Sequence, residues 1–175
     1  MKRVIMPACI LLFLLLACTH IDIFIQDGTL SAKPKRILIG SFEKRNLEFA
    51  PFISKNFRDA LVFEFFKRGY RADLLVITEG NNTDISTLKL QKSQIAELIR
   101  KNASDLFIQG VLSERSCGDS IETETSTLIT LQLYNRNGDK IGQGRYLSSE
   151  TLSSAVTMIN IASTIVDKLD SRFTE

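Results

Sequence analysis

Ten residues from Ala8 to Ala17, ACILLFLLLA, carry no charge. Such a run is about half the roughly 20 residues that cross a bilayer as a helix. Lys2 and Arg3 precede it, and a small residue, Ala17, closes it. A positive start, a short apolar stretch and a small final residue make a secretory signal that is removed on export. The folding unit is therefore expected to begin after Ala17. Cleavage after residue 17 of 175 leaves 158 residues, enough for one domain that buries about 70% of its unfolded surface.

The last residues of the leader, Leu15-Leu16-Ala17-Cys18, resemble the lipobox of bacterial lipoproteins. The resemblance implies cleavage between Ala17 and Cys18, with a diacylglycerol and an N-acyl chain (palmitate or a similar fatty acid) on Cys18. No other cofactor is expected. Each buried CH₂ contributes about 0.8 kcal/mol, and two chains hold a protein on a membrane where one does not. An ordinary signal peptide with a coincidental cysteine and an uncleaved anchor are the alternatives. Thr19, not Asp, follows the cysteine, which among such lipoproteins is compatible with outer-membrane delivery, facing the periplasm or the cell surface.

Losing the leader changes both the charge and the cysteine count. The full chain has 22 Lys and Arg against 20 Asp and Glu. Without Lys2 and Arg3 the mature chain is formally neutral, so nothing points to nucleic acid or to electrostatic membrane binding. Cys9 leaves with the leader and Cys18 is acylated, so Cys117 is alone and no intramolecular disulfide forms. That thiol is buried, reactive or intermolecular.

Hydrophobic periodicity predicts the elements. Residues 18–34 read as the lipidated cysteine and a tether, although Ile21, Ile23 and Ile25 alternate as in an edge strand. RILIGSF (36–42) is a buried strand. Pro51 to Arg68 is a long helix, with Pro51 suited to its first position and Gly69 to the residue just past its end. Ile53, Phe57, Ala60, Leu61 and Glu64 share one face, while Val62, Phe63, Phe65 and Phe66 make the second half apolar nearly all round. Such a helix is deeply buried or shows aromatic surface to a partner.

ADLLVIT (72–78) is a second strand, residues 92–102 a short helix with Ile95, Leu98 and Ile99 on one side, and DLFIQGVL (105–112) a third strand. Polar residues 113–125 read as a long hairpin tip. Residues 126–134 and 140–147 are strands joined through Asn135-Arg136-Asn137-Gly138-Asp139, since Asn-Gly tolerates hairpin geometry. Gly142 and Gly144 leave one face of the last strand bare, open to a helix or a backbone. Ser148 or Ser149 is expected to cap a final helix, Thr151 to Phe173, whose face is Leu152, Ala155, Val156, Ile159, Ala162, Val166, Leu169 and Phe173. The expected fold is α/β (α+β): a single mixed sheet of about five strands, with two long helices and one short helix packed on it.

Catalytic chemistry is hard to assemble from these residues. The one histidine, His20, lies two residues from the anchor, so no Ser-His-Asp arrangement or His-rich zinc site is available. There is no CxxC, GxSxG, Walker loop or GxGxxG, and Gly142-Gln143-Gly144 is not followed by a helix start. Asp119, Glu122 and Glu124 at the proposed tip, and Asp167 with Asp170 on the last helix, read as solvated charge.

Four segments, residues 35–42, residues 54–61 through Lys67-Arg68-Gly69-Tyr70, Ala103 to Gly110 and Leu131 to Gly144, come in an order that is similar to that of a family of envelope domains. Its members include the N-terminal domain of the translocation protein TolB, the curli secretion-channel lipoprotein and the lipoprotein activator of penicillin-binding proteins. Residues 35–42 look like the family's opening strand ending in Phe. Residues 54–61 through Lys67-Arg68-Gly69-Tyr70 look like its first helix. Ala103 to Gly110 looks like its Ala-Asp-aromatic strand, and Leu131 to Gly144 like its hairpin. The likeness covers roughly residues 35–173. One departure is Glu43-Lys44-Arg45-Asn46, where the family commonly has Asn-x-Thr/Ser.

What the resemblance implies is a single binding domain over 35–175, without catalysis, that docks on an envelope-assembly protein such as a cell-wall synthase. Self-association as a subunit of a secretion or flagellar ring is the alternative, and an unrecognised hydrolase a distant third. The residues expected to meet a partner are Phe63, Phe65, Phe66, Cys117 and Asp119. Residues 113–125 lack the alternating apolar face of a membrane-spanning barrel strand.

Overall fold

The computed structural model describes residues 20–26, 32–45, 52–75, 87–117 and 124–173. The leader, Cys18, Thr19, Pro51 and Asp119 lie outside the described residues. The elements are β1 (His20–Ile25), β2 (Arg36–Arg45), α1 (Ile53–Lys67), β3 (Arg71–Leu74), a short 3₁₀ turn (Thr87–Lys89), α2 (Lys92–Lys101), β4 (Leu106–Cys117), β5 (Glu124–Asn135), β6 (Lys140–Ser148) and α3 (Ala155–Phe173).

The six strands among the described residues belong to one sheet, ordered β1-β6-β5-β4-β2-β3. β2 runs parallel to β3 and β4, and the remaining neighbours are antiparallel. The sixth strand, beyond the expected five, is β1. His20 pairs with Leu147 and Ile25 with Gly142, and the ladder continues from Gln26 N–H to the Ile141 carbonyl at 2.8 Å. Alternation decides the matter, because Ile23 is buried in the main core while Ile21 and Ile25 pack against it. Among the described residues the sheet thus begins at His20, and residues 20–26 of the segment expected as tether belong to it.

β1 also explains the bare face of β6. A Cβ on Gly142 would lie 2.7 Å from the Phe24 carbonyl oxygen, and one on Gly144 would lie 3.1 Å from Ile23 Cγ1. The space left by the glycines is filled by a neighbouring strand, one of the two occupants expected.

The sheet carries a helix layer on each face. α1 and α3 cover one side, over Ile37, Ile39, Phe42, Leu106, Ile108, Ile129, Leu131 and Leu133. α2 covers part of the other, with Ile95 and Ile99 packed on Leu38, Leu75 and Phe107. β6 is parallel to β2 through two antiparallel steps, and α1 follows β2 while α3 follows β6. Ser54 Oγ donates to the Phe42 carbonyl, three residues before the end of β2, at 2.7 Å. Tyr70, just past α1, stacks edge-on against Phe173 at the end of α3, with centroids 6.2 Å apart. The two helices therefore run side by side in the same direction.

Helix α1 keeps the expected inner face: Ile53, Phe57, Ala60, Leu61 and Glu64 are all buried. Gly69 has φ +82°, as the position past a helix end requires. Two expectations need correction. The last helix starts at Ala155, not Thr151, and its cap is Ser154, whose Oγ accepts the Thr157 N–H at 3.0 Å. Ser148 Oγ instead accepts the Glu150 N–H. The buried stripe is Met158, Ile161, Ala162, Ile165, Val166, Leu169 and Phe173, which leaves Ala155, Val156 and Ile159 outside. α3 has more apolar residues than one face can bury, so periodicity alone allowed two overlapping stripes.

Residues 113–125 are mostly strand, not loop. β4 and β5 pair through Cys117 and Glu124, and residues 118–123 lie outside the described residues. β2 stops opposite Ser113, and β6 stops opposite Thr127. Among the described residues the last pairs, Arg115 to Cys117 with Glu124 to Ser126, form a two-stranded ribbon projecting past the sheet.

Candidate functional site

The five residues expected to meet a partner do not form one surface. Phe65 is fully buried, packed edge-on against Tyr70 with centroids 5.6 Å apart. It belongs to the core and is withdrawn from the candidate surface. Cys117 ends β4, and neither its side chain nor Asp119 lies among the described residues. Phe63 and Phe66 are 55% and 71% exposed. They sit one helical turn apart on the outer face of α1, and Lys67 Nζ stands over the Phe63 ring at 5.7 Å.

The helix presents these rings because its inner positions are already taken. Phe57, Leu61, Glu64 and Phe65 point to the sheet and to α3. Positions 52, 56, 59, 63 and 66 then line the opposite side at helical spacing: Phe52, Asn56, Asp59, Phe63 and Phe66, all exposed. The spacing was readable in the sequence. What hid it was the block of four apolar residues from 60 to 63 followed by Phe65-Phe66, which blurs the boundary between the faces.

A charged clamp holds the helix carrying the rings. Glu64 is fully buried, and its carboxylate accepts hydrogen bonds from Arg68 at 2.8 Å and Lys67 at 3.0 Å. Arg68 reaches on to Asp167 at 2.5 Å and to Ser163 Oγ at 3.2 Å, both on α3. Burial pushes the Glu64 carboxyl up, but the bonds from Arg68 and Lys67 outweigh it and hold its pKa below the usual value. Nearby, Asp170 accepts from Lys33 at 2.6 Å and from the Tyr70 hydroxyl. Those two bonds hold Asp170 low, while burial and Asp170 together push the Tyr70 hydroxyl up to about 12. Asp167 and Asp170, read from the sequence as solvated charge, are the α3 ends of two ties to α1 and its neighbours.

A surface cleft of about 810 Å³ opens between α2 and the β5–β6 turn, lined by Ser93, Glu97, Arg100, Ser104, Arg136 and Asn137, among others. Two of its charged groups are already paired, Glu97 with Lys101 at 2.8 Å and Arg136 with Asp105. Among the described residues no group of three His, Cys, Asp or Glu could hold a metal, and no helix is long and apolar enough to cross a membrane. His20 is exposed on the edge strand.

No family model matches this chain, and no curated protein matches it in sequence. Solved structures do match. The PelC dodecamer from Paraburkholderia phytofirmans superposes with a TM-score of 0.58 at 10% identity, over 85% of this chain and 94% of that one. Lipoprotein GNA1162 from Neisseria meningitidis superposes with a TM-score of 0.51 at 12% identity, over 79% and 99%. The fold is shared. At such identity nothing else about the chain follows from it. The C-terminal domain of LpoB from Salmonella enterica, at a TM-score of 0.44 and 16% identity, is too loose a match to argue from. A mixed α/β domain of this kind is the fold class that the hydrophobic periodicity predicted, with six strands among the described residues in place of about five.

Proposed function

We propose that this chain is a lipid-anchored envelope protein that works without catalysis, by binding another protein through Phe63 and Phe66. The lipid sits on Cys18, placed by the Leu15-Leu16-Ala17-Cys18 motif, at the outer membrane and facing the periplasm. The observation that carries the reading is the pair of exposed rings one turn apart on a helix that is otherwise firmly seated. Large aromatic side chains left on a rigid surface are the usual anchors of protein interfaces. A cell-envelope assembly protein, such as a cell-wall synthase, is the partner class.

A second reading is self-association. One protein that shares the fold, PelC from Paraburkholderia phytofirmans, is a dodecamer, and an outward aromatic pair serves a copy of the chain as readily as another protein. One experiment separates the two. Whole cells carrying the tagged full-length chain are crosslinked, and the products are compared with those of a Phe63→Ser/Phe66→Ser chain. A second protein lost in the variant supports the adaptor. A ladder of the chain with itself, lost in the variant, supports the ring. Crosslinks unchanged by the variant remove these rings from either role. Metabolic labelling with palmitate, compared with Cys18→Ala, tests the anchor independently.

A further inference from the structure

The anchor and the sheet are separated by very little chain. β1 begins at His20, so Thr19 alone stands between it and Cys18. Two residues reach at most about 7 Å. If Cys18 carries lipid, as proposed above, the domain is held against the bilayer at the end of the sheet where His20 lies, and some surface there rests on it.

Register identifies that end. His20 is opposite Leu147, and Leu147 is opposite Leu128, at the level where β2 finishes opposite Ser113. Both long helices start at this end, because each returns along the sheet from the finish of β2 or β6. Among the described residues, seven large hydrophobic side chains are exposed. Four belong to this end or the first turns leading from it: Phe52 at 63%, Leu147 at 42%, Val156 at 68% and Ile159. They come from the start of α1, the end of β6 and the start of α3, so no single helix pattern produced them. Exposed Lys44, Arg45 and Lys55 lie at the same end, with Glu150 the exposed acid between β6 and α3.

Apolar side chains rimmed by basic ones, next to a lipid attachment point, match the acyl–headgroup boundary of a bilayer. We infer that the His20 end is a membrane-contact surface, with Phe52, Leu147 and Val156 at the boundary and Lys44, Arg45 and Lys55 among the headgroups. The described part of the β4–β5 ribbon, Arg115 to Cys117 with Glu124 to Ser126, projects at this end, and its sequence, Arg-Ser-Cys and Glu-Thr-Ser, is mostly polar. It stays with water and headgroups, which limits how deeply the end sinks. Phe63 and Phe66 lie 11 and 14 residues along the chain from Phe52, about 16 and 21 Å along a helix axis. They are left for protein contact.

The chain contains no tryptophan, so one introduced indole reports its own position. The full-length protein extracted from its membrane is prepared as Phe52→Trp, Val156→Trp and Phe66→Trp. Each is reconstituted in phosphatidylethanolamine–phosphatidylglycerol vesicles with or without acyl-brominated lipid. The expected result is a blue-shifted emission for F52W and V156W, mostly lost to brominated lipid, with F66W unshifted and little quenched. Unquenched F52W and V156W, or equal quenching of F66W, would overturn the inference. The mass of the N-terminal peptide from the same samples reports the anchor separately. Without acyl chains the anchor fails, while quenching at 52 and 156 still decides the surface.

Discussion

Arg68 at the end of α1 and Asp167 on α3 stand 2.5 Å apart, 99 residues distant in sequence. Arg68 at the same time bonds the fully buried Glu64 at 2.8 Å. One guanidinium therefore neutralises a carboxylate under α1 and ties that helix to its neighbour. A planar group with five donors suits this double task.

Replacing Arg68 is expected to be costly. Arg68→Met keeps the stem but leaves Glu64 buried with Lys67 as its remaining partner. Breaking a buried ion pair costs about 3–5 kcal/mol, and Lys67 reduces this to about 2–3. Urea unfolding followed by circular dichroism measures it. A change below about 1 kcal/mol, the range of a surface pair, would show that Glu64 does not depend on Arg68.

The same carboxylates set a pH dependence. Glu64 and Asp170 are held below their ordinary values, 4.5 and 3.8, in the fold. Their stabilisation is complete above the unfolded values and is lost as pH falls through the lower folded ones. Stability to urea is expected to drop as pH goes below about 4.5, and Glu64→Gln and Asp170→Asn each to flatten part of that drop. Variants that lose stability in parallel with the parent chain would mean the two carboxylates contribute none of it.

Adjacent phenylalanines are expected to behave in opposite ways. Phe65→Ala empties a fully buried site and costs about 3–5 kcal/mol. Phe66→Ser, on an exposed position, changes stability by less than about 0.5 kcal/mol but loses the partner. Comparable thermal shifts from both would contradict the division of α1 into an inner and an outer face.

Gly142 is where β1 docks. Gly142→Val places branched carbons against the Phe24 carbonyl, 2.7 Å from where a Cβ would lie. Overpacking of this kind costs about 1–3 kcal/mol. Hydrogen exchange is expected to accelerate at the β1 amides while those of β4 stay protected. Uniform acceleration, or none, would mean that β1 is not a separately displaceable edge.

Much of this architecture is legible in the chain. RILIGSF, the inner face of α1 and the Asn-Gly hairpin each follow from local apolar spacing or turn chemistry, and all three are observed. The failures have a common physical origin. β1 has strand alternation, but only its partner strand, through Gly142 and Gly144, shows that it pairs. The Ser- and Thr-rich ribbon of 113–117 and 124–125 has no apolar face, and backbone pairing across β4–β5 makes it strand. In α3 the surplus of apolar residues allowed two stripes, and contact with α1 chose the one through Met158, Ile161 and Ile165. Of the candidate surface, Phe63 and Phe66 were visible as apolar residues, yet their exposure depends on which face α1 turns to the sheet. The clamps of Arg68 and Lys33 join residues about 100 or more positions apart, beyond the reach of any local pattern.

The outer face of α1 is proposed to meet another protein. The most direct test places a photo-crosslinking phenylalanine analogue at position 63, 66 or 143 of the full-length chain in living cells, Gln143 being exposed on β6. One discrete crosslinked product is expected from 63 and 66 and none from 143. No product from 63 and 66, or the same product from all three positions, would contradict the proposal.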